Sequence, residues 1–153
     1  MSIMKDETTA RLDDLHRDGM EALGVFDDLA RRIDDDDLRD LVAAHADAQR
    51  ELLERIATVR RARGEMPHAG DPERSHLEAA GAVVRAALLP GRNTTHYVET
   101  LLEAARNVER HVDAALSLDL DAQLRRVLEA FRADNVAFDD ALRRHNGYPA
   151  GGP

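Results

Sequence analysis

From Leu12 onward, apolar residues recur every three or four positions, at Leu15, Gly19, Ala22, Leu23, Phe26, Leu29 and Ile33. This spacing lines one face of an α-helix. The acidic run Asp34–Asp37 interrupts the stripe. Four consecutive carboxylates resist burial, so the run predicts a turn whose last member caps a second helix and favours the positive end of its dipole. That helix spans about Leu38 to Arg63, with a stripe at Leu38, Leu41, Val42, His45, Ala48, Leu52, Ile56 and Val59. Gly64 stands in the position of a C-terminal cap.

The next segment, Glu65 to Pro72, holds two prolines and a glycine without periodicity, which predicts a loop. Asp71 and Pro72 read as an N-cap and first-turn proline. They start a short helix over Glu73–Leu89, ended by Pro90, Gly91 and Asn93. A third helix begins near Thr94 or Thr95 and carries Val98, Leu101, Leu102, Ala105, Val108, Glu109, Val112, Ala115 and Leu116 on one face. After a tight turn at Ser117–Asp121, a fourth shows Leu124, Val127, Leu128, Phe131, Asp134, Phe138, Ala141 and Leu142.

Two helical hairpins joined by about thirty residues leave enough chain to run the length of a bundle. The pattern therefore predicts an all-α fold, an antiparallel four-helix bundle with a short extra helix in the long crossover between helices 2 and 3. Helices 2 and 3 are then parallel and each hairpin antiparallel. Residues 1–9 are expected to form a flexible N-terminus, 10–145 the bundle and 146–153 a disordered tail.

Composition agrees with one helical domain: 153 residues, 43% of them hydrophobic, with only 3% aromatic and no tryptophan. Helices packed through small and aliphatic side chains fit this usage better than sheets do. The formal net charge is -9, and Lys5 is the single lysine among 21 basic residues, the rest being arginines dispersed among 30 acids. Without a concentrated basic face, nucleic acid is excluded as an expected partner. The absence of cysteine excludes disulfides, thiolate metal sites and cysteine catalysis. No run approaches the ~20 apolar residues of a membrane span, and residues 1–9 lack a signal-peptide core, so a cytoplasmic protein is expected.

Candidate chemistry lies where a titratable side chain interrupts an apolar stripe, because an unpaired buried charge costs several kcal/mol. His45, Glu109 and Asp134 do so, and Asp18 sits at the edge of its stripe beside Gly19. Counting ~1.5 Å per residue from the turns brings all four within about two turns of each other at mid-bundle. The remaining histidines, His16, His68, His96, His111 and His145, fall at stripe edges, in loops or on polar faces and are expected to be structural or solvent-facing.

The two-hairpin layout with a helical crossover resembles the ferritin-like superfamily. The Asp18-Gly19 pair, the crossover helix and the stretch from Leu102-Glu103 to Glu109 are similar, over about Thr9 to Arg144, to a bacterial ferritin-like four-helix-bundle family of unknown function. Metal-binding members of that superfamily supply single carboxylates from two helices and a Glu-x-x-His from each of the other two. On that pattern, the resemblance makes Asp18 and Glu109 the single carboxylates. The paired positions are Val42-x-x-His45 and Asp134-x-x-Ala137, so two of six ligands are missing. The literal Glu-x-x-His at Glu73–His76 lies in the crossover and has no second copy. Hemerythrin-like spacing is absent too, since Gln49 follows His45 four residues on and Ala115 follows His111.

The expected function is thus a non-catalytic bundle in which Asp18, His45, Glu109 and Asp134 form a buried polar cluster. It would act by self-association, as a homodimer, or through a protein partner, with no cofactor and no membrane. The alternative is a degenerate metal site holding a single divalent ion on the same four residues, in oxidative or metal stress.

Overall fold

The computed structural model describes residues 3–65 and 94–145, with side chains placed from Glu7 to Glu65 and from His96 to His145. The crossover helix expected at Glu73–Leu89 and the expected tail both lie outside the described residues. The described residues form four helices: α1 Ile3–Arg32, α2 Asp36–Ala62, α3 Thr94–Leu116 and α4 Ala122–His145. No strand occurs among the described residues. Helix α1 packs on α2 and α3, and α4 packs on the same two, so α1 and α4 occupy opposite corners of a square, as do α2 and α3. None of the described helices is long and apolar enough to cross a membrane.

Helix α1 begins at Ile3, well before Leu12. It therefore runs through positions assigned from the sequence to a flexible N-terminus, a stretch without glycine or proline to break it. Helix α2 is capped by Asp35, whose carboxylate accepts from the Leu38 N–H at 3.0 Å. The cap is thus two residues earlier than the last aspartate of the run, because Asp36 and Asp37 are already in the first helical turn. All four aspartates are exposed, as expected. At the other end Gly64 adopts φ +78°, the left-handed conformation that lets the chain leave the helix while the Glu65 N–H bonds to the Arg60 carbonyl at 2.9 Å. Asp121 caps α4 in the same way as Asp35, accepting from the Leu124 N–H at 2.8 Å.

Register between α1 and α2 is fixed by polar pairs along their length. Asp27 meets Arg50 at 2.8 Å, Asp13 meets Arg60 at 2.8 Å and Thr9 donates to Glu65 at 3.2 Å, so positions in α1 fall as those in α2 rise. The same order holds between α2 and α4, through His145 with Asp35 at 3.1 Å and Asp134 with His45 at 2.9 Å. Between α3 and α4, Asp113 meets Arg132 at 3.3 Å. Gly19 lets α1 and α2 approach closely: a Cβ there would stand 2.9 Å from Leu53 Cδ2.

Among the described residues the core is one contiguous cluster, and it contains the stripe residues Phe26, Leu52, Val108 and Phe131. Every stripe position from Leu12 to Ile33 is buried. On α2 the buried face is wider than the stripe and takes in Ala46, Gln49, Leu53, Ala57 and Arg60. That helix lies against both α1 and α4, so two adjacent rows of side chains face inward.

Candidate functional site

Helix α2 presents His45 inward, one turn from Val42 and one from Gln49, and its side chain is only 2% exposed. Phe138 of α4 stacks flat on the imidazole, centroids 3.8 Å apart and planes 5° from parallel. Phe26 of α1 meets it edge-on at 5.0 Å and touches Phe138 at 5.6 Å. The ring is therefore clamped by two other helices. Its Nδ1 lies 2.9 Å from Asp134 Oδ2. That oxygen is off the direction of a ring N–H, and neither imidazole nitrogen makes an aligned hydrogen bond to a described residue. We read the contact as a close electrostatic approach, weaker than an aligned hydrogen bond.

Asp134 sits at the margin of the α2–α4 interface with 32% of its side chain exposed. The central position on α4 belongs to Asn135, a residue overlooked in the stripe, which is buried without an aligned partner among the described residues. The spacing Phe131, Asn135, Phe138, Leu142 fits the inward face better than one passing through Asp134, but a single amide among aspartates gives little signal.

Asp18 lies elsewhere. Its carboxylate is engaged by His111 Nε2 of α3 and by Arg17 on its own helix at 3.2 Å. His111 is thus a half-buried partner of a carboxylate across the α1–α3 interface. Glu109 precedes His111 by two residues, which rotates it roughly 200° around α3 and away from Asp18. Estimates of height along the bundle do bring His45 to Asp134. They carry no information about direction around each helix, and for that reason the four candidate residues do not converge. The geometry divides them into the pair His45–Asp134, the pair Asp18–His111 and a separate Glu109. Among the described residues, no three His, Asp or Glu side chains are grouped so that they could hold a metal ion.

A third polar group escaped the sequence pattern. The Arg60 side chain is 1% exposed; its Nη2 donates to Asp13 at 2.8 Å and its Nε lies 3.7 Å from Glu65. Nearby, the pKa of His16 is lowered, first by burial and then by the positive charge of Arg60, against the opposing pull of Asp13 and Glu54. On α4, burial raises the pKa of Asp139, while Arg106 acts to lower it. Arg143 donates to Asp139 at 3.0 Å. An arginine in the last turn of a helix ordinarily reads as an exposed residue favouring the dipole, so only the packed pair of helices reveals Arg60 as interior.

Chemically, these arrangements hold helices together. The His45 ring is buried between Phe26 and Phe138, and among the described residues Asp134 is the carboxylate in contact with it. Comparison with family models, curated proteins and solved structures finds no match to this chain.

Proposed function

We propose that this chain is a ferritin-like antiparallel bundle without catalytic chemistry, acting through association with a second copy of itself or with another protein. The observation that carries the reading is that three titratable groups each meet a different partner on a neighbouring helix: His45 approaches Asp134, Asp18 meets His111 and Arg60 meets Asp13. Groups engaged in separate pairs specify which helix faces which, whereas a reaction centre needs them at one point. The ferritin-like part is supported by the square in which α2 and α3, joined by the longest connection, stand at opposite corners.

The test uses protein purified without chelator or affinity metal. Elemental analysis and calorimetric titration with iron(II) and manganese(II) are expected to show no stoichiometric metal and no saturable pair of ions. Sedimentation across a wide concentration range is expected to show a reversible dimer. Two ions bound per chain would overturn the non-catalytic reading, and a monomer at every concentration would overturn self-association.

A further inference from the structure

We draw no further inference here: the strongest candidate, the open groove of about 320 Å3 between α1 and α3 lined by Ala22, Val25, Ala104, Glu21, Glu103 and Arg110, carries nothing because nothing in the structure shows what covers it.

Discussion

His45 is closed off from water whereas Asp134 keeps a third of its surface in it, and this asymmetry decides what their contact contributes. Solvent screens the carboxylate, so the coupling is expected at the low end of values for touching polar residues, ~0.5–1 kcal/mol. Unfolding free energies of His45→Leu, Asp134→Leu and the double variant measure it, and strictly additive losses would mean that the contact contributes nothing. His16 gives a residue-scale prediction with a sign. Its pKa in the folded chain lies below the ordinary 6.5, so the unfolded chain binds the proton more readily. The stabilising contribution is present above pH 6.5 and lost as pH falls through the folded value. His16→Gln is therefore expected to flatten the acid limb of a stability–pH curve, and NMR titration is expected to place His16 below a free histidine. An unchanged acid limb would show that its burial is not maintained in solution.

At the scale of single elements, the legible features were those with a local cause. The α1 stripe from Leu12 to Ile33 was readable because one helix face and one row of side chains coincide. The α2 face was only half readable. Gln49, Leu53 and Arg60 are inward because α2 touches two neighbours, a fact of packing that no single-helix pattern contains. Asp18 and His111 illustrate the same limit, since their meeting depends on the rotation of α3 about its own axis. Gly19 tests the close approach of α1 and α2. Replacement by alanine gains about 1 kcal/mol of helix propensity and places a methyl group against the end of Leu53, a flexible side chain that can move. Gly19→Ala is therefore expected to leave stability within ~1 kcal/mol of the parent, while Gly19→Leu overpacks the interface and costs ~1–3 kcal/mol by urea denaturation. Equal tolerance of both would show that the helices stand further apart.

At the scale of the molecule, the four described helices share one core, and cooperativity is its expected signature. Phe131 is fully buried in that core, and Phe131→Ala is expected to cost ~3–5 kcal/mol. Native-state hydrogen exchange offers a broader check: the most protected amides near Phe26, Leu52, Val108 and Phe131 are expected to share one opening free energy. If α1 and α2 opened together at a distinctly lower free energy than α3 and α4, the chain would be two hairpins in contact and not one cooperative bundle. The large features, four helices and a shared core, were legible because they follow from periodicity and length. Of the polar pairs, His45 with Asp134 was reachable from height along the bundle, whereas Asp18 with His111 and Arg60 with Asp13 were not, because they depend on how the assembled helices are rotated.

The buried amide of Gln49 donates its Nε2 hydrogen to the Gly19 carbonyl at 3.0 Å, and its oxygen has no aligned partner among the described residues. Chemical ageing of proteins includes slow loss of side-chain amides to carboxylates, a change of one heavy atom with almost no change of shape. Here it would replace the sole donor with an oxygen facing a carbonyl oxygen, in a place that water does not reach. The Gln49–Gly19 contact thus depends on a single nitrogen atom for its polar match, and Gln49→Glu reproduces the lesion. It is expected to cost about 1–3 kcal/mol at neutral pH and much less in acid, where the carboxyl regains a hydrogen to donate.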